Sequence, residues 1–296
     1  MIQSITHMKK KRWSLFFLVL PLELVVIMIS YVPLFGWSLS FFEYHPGTPL
    51  FKNEYVGIKY FMSLFSSREV MRAFVNTVIF SGIRFGFLLC PMLFAILLNE
   101  IKCNEYRKII QTLTTLPYFI SWIIVYSLAF ALFSTEGFLT KSFRMKISLL
   151  NRTDAVYWFQ SLVSIWKNLG WDAIIYIAAI AGIPLELYEA AEVDGANKLH
   201  TAIYITIPEL MNTFLVLMLL YIASFVNNGM DQYYAFSNSI ILDKIETLEL
   251  YTYRVGLQQS DYSFATAAGI IKSMISIVLL FGTNAIAKKI RGTSII

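Results

Sequence analysis

The sequence predicts an all-α membrane protein that crosses the bilayer six times. Of its 296 residues, 57% are hydrophobic and only 15% are charged, and the mean hydropathy is +0.62. Several apolar runs reach roughly 20 residues, the length that a helix needs to cross the hydrocarbon core. A soluble chain of this size could bury its apolar side chains in one or two cores, but it would not need such uninterrupted runs. We therefore predict one transmembrane domain over residues 1–296.

Each predicted span is an apolar run between polar or charged segments. The six spans cover Trp13–Trp37, Ala73–Leu98, Ile110–Phe133, Val156–Gly182, Leu210–Gly229 and Phe264–Ala287. The first follows the basic stretch "HMKKKRW", which would suit a signal peptide. However, that span is roughly 25 residues long and no A-x-A-like cleavage site follows it, so we expect a retained helix.

Basic clusters at the two ends predict that both termini are cytoplasmic. Lys9 to Arg12 precede the first span, and Lys288, Lys289 and Arg291 follow the last. Cytoplasmic flanks carry an excess of such residues, and an even number of spans returns the chain to its starting side. The predicted outer loops carry nearly as many basic residues, so the orientation depends on the termini and on the inner stretch "NEIKCNEYRK". We expect a multi-pass protein of the plasma membrane that contacts lipid.

The sequence lacks the signatures of a metal site, a disulfide framework or a common enzyme. Two cysteines, Cys90 and Cys103, lie far from other ligand types, and the three histidines fall in separate segments. No P-loop, H-E-x-x-H or G-x-S-x-G motif occurs. The net charge of +5 is spread over membrane flanks and does not indicate nucleic-acid binding. We expect no catalytic residues, no metal ligands and no nucleic-acid partner.

The most hydrophilic stretch between spans is the loop 183–209, which includes "YEAAEVDGANKLHTAIYITIPEL". Pro184 ends the fourth helix, and the spacing that follows predicts a short helix up to Gly195 and a second one from Asn197 to Pro208. The loop has five acidic residues, Glu186, Glu189, Glu192, Asp194 and Glu209, but only one basic residue, Lys198. This predicts an acidic protrusion for a basic partner, with an ordinary solvated connector as the alternative.

The string E-A-A at 189–191, with Gly195 four residues further and I-x-I-P at 205–208, resembles the EAA loop of binding-protein-dependent ABC importer permeases. Other stretches resemble the sugar-permease branch, in particular subunits that carry complex oligosaccharides in Gram-positive bacteria: "YVPLFGWSLSFFEY", "NTVIFS", "LPYFISW", "IWKNLGWDAIIYIAAIAGIP" and "YTYRVGLQQSDYSFATAAGI". The outer stretch "STEGFLTKSFRMKISLLNRTD" departs from the family pattern. The resemblance implies a type I ABC importer permease fold in a bacterial plasma membrane.

The resemblance also implies how the chain works and with what. The loop would couple to an ATPase through six residues: Glu189, Ala190, Ala191, Asp194, Gly195 and Pro208. The implied partners are a second homologous permease, two ATPase subunits, an extracellular solute-binding lipoprotein and a sugar. Because the chain has no nucleotide-binding motif, we expect it to bind no cofactor, with ATP and Mg²⁺ held by the partner ATPase.

Two other classes of protein are alternatives to the importer permease as the function of this chain. An ion-coupled secondary transporter of a polar solute is the alternative, but it would favour an internal repeat and an ionisable relay, which the sequence does not show. A membrane-embedded enzyme would need an acid–base pair or metal ligands at membrane depth. Neither is indicated by the scattered ionisable residues.

A path for sugars should combine hydrogen-bonding side chains with aromatic rings. In the fifth span, Ser224, Asn228 and Asp231 are spaced i, i+4 and i+7, three residues after Tyr221; the fourth span has Ser164, Lys167, Asn168 and Trp171, and the third has Tyr118 and Trp122. We predict that these residues line the path; the alternative is that they join helices or anchor at the membrane interface. Glu23 and Arg84, in the middle of the first two spans, should pair or face a wet interior.

Overall fold

The computed structural model of the chain describes residues 16–143 and 148–291. It is 78% helical, and the described residues form no sheet. The chain separates into two compact units, one built from the described parts of 1–66 and 254–271, the other from those of 67–253 and 272–296. The prediction of a single domain remains a prediction.

The first unit begins with a long apolar helix, α1 (Phe16–Phe41), which changes to π and then 3-10 geometry along its length. Its most apolar stretch has no buried residue, so its surface is available to lipid or to another chain. After it, Phe42 and Tyr55 form an isolated antiparallel bridge, and α2 (Lys59–Ser66) follows. The hydroxyl of Ser263 ties this region to the start of the last helix, because it donates to the Phe42 carbonyl at 2.7 Å.

The second unit is a helical bundle around one long helix. Its helices are α3 (Arg68–Gly86), α4 (Cys90–Asn99), α5 (Asn104–Thr115), α6 (Trp122–Phe133), α7 (Phe138–Ser142), α8 (Val156–Ala181), α9 (Leu185–Val193), α10 (Lys198–Thr201), α11 (Ile207–Ala223), α12 (Asp231–Phe236), α13 (Leu242–Ile245) and α14 (Leu248–Tyr253), with residues 272–291 of α15 (Tyr262–Arg291). Helix α8 packs against α3, α4, α5 and α11. One core lies around Phe80 and Tyr233 and another around Tyr176 and Leu210.

The predicted six-span, all-α architecture is confirmed. Five helical segments of the described chain are long and apolar enough to cross a membrane, and there are six when α8 and α9, bent by 72° at a short break, count as one span. The bend falls at Pro184, which has no N–H to continue the helix. The chain is therefore a multi-pass membrane protein.

The third span is not the continuous helix predicted for Ile110–Phe133. Helix α5 ends at Thr115, a 3-10 turn covers Leu116–Phe119, and α6 starts only at Trp122. Pro117 lies at the start of that turn, and Ser121 caps α6 by accepting a hydrogen bond from the N–H of Ile124. Because proline removes a helical donor and serine favours a new helix start, the two residues together break the span.

The fifth span also differs from its prediction at both ends. No helix ends at Pro208; instead α10 continues through a π turn, Ala202–Thr206, into α11. Proline is tolerated there because it occupies the first turn of α11, where its missing N–H costs little. At the other end, α11 stops at Ala223, six residues before Gly229.

The segment after the fifth span folds back into the bundle instead of forming an open loop. Helices α12 to α14 bury Tyr233, Phe236 and Ile245 almost completely. The amide of Asn76 on α3 donates to the carbonyls of Asp243 (3.0 Å) and Glu246 (2.9 Å). This segment is therefore fastened to the middle of α3.

Candidate functional sites: an acidic loop and a polar cavity

The loop 183–209 turns through a Schellman motif at the end of α9. The N–H of Ala196 donates to the Ala191 carbonyl at 2.9 Å, and the N–H of Gly195 donates to the Glu192 carbonyl at 3.1 Å. This motif requires a left-handed residue just after the helix, and Gly195 has φ +75°. A Cβ on Gly195 would meet no atom within 4 Å, so close contact within this chain is not what requires a glycine here. The need for glycine comes from the backbone conformation.

Polar contacts hold the loop in one arrangement. The side chain of Asn197 starts α10 by accepting the N–H of His200 at 2.9 Å. The hydroxyls of Tyr188 and Thr206 lie 3.2 Å apart and join the two arms of the loop. Lys198 forms an ion pair with Glu100, at the end of α4, with an Nζ–Oε2 distance of 2.6 Å. The predicted short helix and turn are thus present and are anchored to the bundle.

The outer face of this loop is acidic and partly apolar. Glu189 is exposed and has no ion-pair partner among the described residues. Since Lys198 is already paired with Glu100, it does not compensate the other loop carboxylates. Val193 is 88% exposed, an unusual position for a branched apolar side chain outside a span. Of the predicted coupling residues, Glu189, Ala190, Asp194, Gly195 and Pro208 are exposed and Ala191 is half-buried.

Two adjoining cavities of about 230 and 70 Å³ lie in the second unit, among α3, α4, α8 and α11. They share four lining residues: Leu88, Pro91, Asp172 and Tyr221. Ser164, Asn168 and Asp172 are spaced four residues apart on α8, so they form one polar stripe along the smaller cavity. We call this pair of cavities the polar cavity.

Two opposite charges line the polar cavity. Arg84 of α3 and Asp172 of α8 both face the smaller cavity, yet they form no ion pair within 4.0 Å. The guanidinium of Arg84 lies 5.8 Å from the centre of the Tyr221 ring. Charged side chains at membrane depth that face a cavity are a usual mark of a functional site. Arg84 therefore lines a cavity and forms no ion pair with Asp172, whereas Glu23 is exposed on α1 of the other unit.

Asp172 is absent from the residues predicted from the sequence. The sequence contains two features that could have identified it. Asp172 continues the four-residue spacing of Ser164 and Asn168, and it places a carboxylate within a predicted span. Trp171 and Lys167 stand nearby in the sequence but on other faces of α8, and the polar cavity is lined by neither.

Four of the predicted residues of the third and fourth spans meet in an aromatic cluster: Tyr118, Trp122, Lys167 and Trp171. The rings of Tyr118 and Trp171 are stacked, 4.4 Å apart and 2° from parallel. The ammonium of Lys167 lies 5.5 Å from the Tyr118 ring and 5.2 Å from the Trp122 ring. It also donates to the carbonyls of Pro117 (3.0 Å) and Tyr118 (2.7 Å). The charge of Lys167 is therefore directed at the break in the third span.

The predicted stripe of the fifth span is not a helical face. Because α11 ends at Ala223, Asn228 lies in an irregular segment and Asp231 opens α12, where it is exposed. The Asn228 amide donates to the Thr77 carbonyl at 3.0 Å, and the Tyr221 hydroxyl donates to the Ser81 carbonyl at 2.8 Å. These two side chains fasten the end of α11 to α3. Tyr221 and Ser224 also line the larger part of the polar cavity.

Comparisons with known proteins agree with this architecture. Residues 88–292 match the family described as binding-protein-dependent transport system inner membrane component. Protein LplB of Bacillus subtilis strain 168 is 36% identical over 97% of this chain and 92% of its own length. The polygalacturonan/rhamnogalacturonan transport system permease protein YteP of the same organism is 33% identical over 93% of this chain and 88% of its own length.

The chain is also similar to solved structures. A bacterial ABC transporter involved in the import of the acidic polysaccharide alginate has a chain with 29% identity and a TM-score of 0.87, covering 97% of this chain and 99% of that one. The alginate ABC transporter in complex with an alginate pentasaccharide-bound periplasmic protein matches with 29% identity and a TM-score of 0.86, covering 97% and 98%. The predicted importer-permease fold is confirmed.

Proposed function

The chain belongs to the family of binding-protein-dependent transport system inner membrane components, and on this basis we propose that it forms half of the translocation path of an ATP-driven importer of oligosaccharides. The observation that carries the proposal is the loop 183–209. A rigid, exposed, acidic element on a membrane bundle is suited to transmit force to a separate subunit. The chain itself is not an enzyme in this scheme.

The acidic loop is the proposed contact with the ATPase. Glu189 offers an unpaired carboxylate, which a basic side chain of the partner would bind with a charge-assisted hydrogen bond. Val193 supplies exposed apolar area that docking would remove from water. Two copies of the ATPase would bind ATP and Mg²⁺, one against this chain and one against a second homologous permease.

The polar cavity and the aromatic cluster are the proposed contacts with the cargo. Asp172 and Asn168 can accept hydrogen bonds from sugar hydroxyls, and Arg84 can donate to them. Tyr118 and Trp171 are exposed aromatic rings of the kind on which apolar sugar faces stack. Relatives described as carriers of polygalacturonan and alginate support a saccharide as the cargo.

We place the protein in a bacterial plasma membrane with both termini in the cytoplasm. The basic residues beside the first and last spans support this orientation, which also puts the acidic loop on the side where ATP is available. A solute-binding lipoprotein would deliver the sugar at the opposite face. The relative in complex with a periplasmic binding protein supports such a partner.

Purification of the tagged chain under mild detergent tests the proposal. We expect an ATPase and a second permease to copurify, and proteoliposomes containing this complex to take up labelled oligosaccharides only when ATP and the binding protein are supplied. Uptake driven by an ion gradient in the absence of ATP would instead identify a secondary transporter.

A further inference from the structure

A separate cavity of about 310 Å³ lies in the second unit, at the end of α6. We call it the outer cavity. Seven of its lining residues are aromatic, hydroxyl or amide side chains: Tyr126, Phe130, Ser134, Thr135, Ser148, Asn151 and Asn238. None of them lines the polar cavity, so this is a second site.

The outer cavity and the acidic loop lie at opposite ends of α8. Asn151 precedes the first residue of α8 by five positions, while α9 follows its last residue after a short break. A helix of 26 residues rises about 39 Å, more than the thickness of the hydrocarbon core. If the acidic loop meets the ATPase, as proposed above, the outer cavity is on the side from which cargo arrives.

The walls of the outer cavity carry hydrogen-bonding groups that the chain does not use. Among the described residues, the side-chain hydroxyls of Tyr126, Ser134 and Thr135 have no hydrogen-bond partner. The amide nitrogen of Asn238 donates only over long distances, 3.4 Å to the Asn151 Oδ1 and 3.5 Å to the Leu150 carbonyl, while its Oδ1 accepts the N–H of Ile240 at 3.0 Å. The two long hydrogen bonds are weak. A ligand rich in hydroxyls would replace them with shorter ones.

The same walls offer an aromatic surface. Phe130 is 53% exposed, and its ring centre is 6.1 Å from that of Tyr126. Tyr126 is itself held in place by an edge-to-face contact with Phe236, at 5.2 Å. Aromatic rings next to free hydroxyl and amide groups match the two surfaces of a pyranose, an apolar face and a polar edge.

We propose that the outer cavity binds one neutral pyranose unit of the incoming oligosaccharide. Its volume lies at the lower end of the range for small-molecule sites. Among the described residues that line it, the only charged side chain is Glu136, whose carboxylate is 2.5 Å from the ammonium of Lys141. A carboxylate can accept hydrogen bonds from sugar hydroxyls, but the described part of the lining has no cation to bind the carboxylate of a uronic acid.

Saturation-transfer NMR on the full chain in lipid nanodiscs tests this site without the ATPase or the binding protein. The probes are maltotriose, xylotriose and, as an acidic sugar, trigalacturonate. We expect at least one neutral trisaccharide to bind, and Phe130→Ala and Asn151→Leu each to weaken its Kd roughly five- to tenfold. The matched control is Phe138→Ala, an exposed phenylalanine outside the cavity.

Three results would overturn the outer cavity as a sugar site. These are binding of none of the neutral probes, wild-type affinity in both Phe130→Ala and Asn151→Leu, or binding of trigalacturonate that these two substitutions weaken equally. The proposed function would stand in each case if ATP-dependent uptake by the complete transporter persists. Conversely, if the complete transporter took up no oligosaccharide, the proposed function would fail, while sugar binding measured on the isolated chain would still test the outer cavity.

Discussion

The ammonium of Lys167 on α8 donates a hydrogen bond of 2.7 Å to the backbone carbonyl of Tyr118, in the break between α5 and α6. Lys167 is buried, and a second bond to Pro117 occupies it further. The break exposes carbonyls that no helical N–H can reach, and within a bilayer such groups need another partner. Lys167 thus acts as the donor that the interrupted helix lacks.

Replacement of Lys167 by methionine should therefore lower stability. Leaving the two carbonyls without a donor costs about 1–3 kcal/mol, which denaturant titration in detergent would detect. The control is Lys59→Met, which removes an exposed ion pair with Glu43 and should change little. If Lys167→Met lost uptake but kept full stability, Lys167 would be a cargo contact, as the sequence alone suggested.

Exchange of Gly195 for alanine should reduce coupling without blocking membrane insertion. A residue with a Cβ pays about 1–2 kcal/mol in the left-handed conformation that the Schellman motif requires. Gly195→Asn should be milder, because asparagine tolerates this conformation better. Gly182→Ala is the control, since Gly182 has φ −88° and its added Cβ would make only ordinary contacts. ATP-dependent uptake normalised to surface expression measures the effect of all three substitutions. Equal losses of uptake in all three variants would contradict the explanation from the left-handed backbone conformation.

Charge reversal at Glu189 should disrupt binding of the ATPase. Losing one partner of a buried, hydrogen-bonded charge pair at an interface costs more than a tenfold change in affinity, roughly 2–5 kcal/mol. We expect Glu189→Arg to copurify little ATPase and to show no stimulation of its hydrolysis. The comparison variant is Glu186→Arg. Glu186 is an exposed carboxylate on the same helix but outside the E-A-A string, so this variant tests whether any charge reversal on the loop reduces ATPase binding. Similar loss in both variants would mean that the loop acts through its net charge.

Because Asp172 lines the polar cavity and Asp231 does not, we expect substitutions of these two aspartates to affect transport differently. Asp172→Asn and Arg84→Gln should each slow oligosaccharide uptake by roughly ten- to a hundredfold, because hydrogen bonds to charged groups contribute about 1.5–3 kcal/mol. Asp231→Asn should transport nearly as well as the wild type, since Asp231 is exposed beyond the end of α11. If Asp231→Asn slowed uptake more than Asp172→Asn and Arg84→Gln at equal surface expression, the substrate path would instead be lined by the residues predicted from the sequence.

Local signals in the sequence determined the architecture and the acidic loop. The long apolar runs predicted the spans because a bilayer accepts only chain whose backbone bonds are satisfied within each helix. Pro184, the acidic string and Gly195 predicted a short helix and a turn because their effects reach only a few residues. Five of the six loop residues identified by resemblance accordingly lie on α9 and the turn after it, while Pro208 lies in the first turn of α11.

Tertiary structure alone decided which polar side chains face a cavity and which hold helices together. Lys167 and Asp172 are five residues apart on α8, but the first meets a broken helix and the second meets Arg84 across the polar cavity. Periodicity could not separate them, because the group that each side chain meets belongs to a segment distant in the sequence. A polar residue in a span must find a partner, and only the packed bundle determines whether that partner is a backbone carbonyl or a space open to solute.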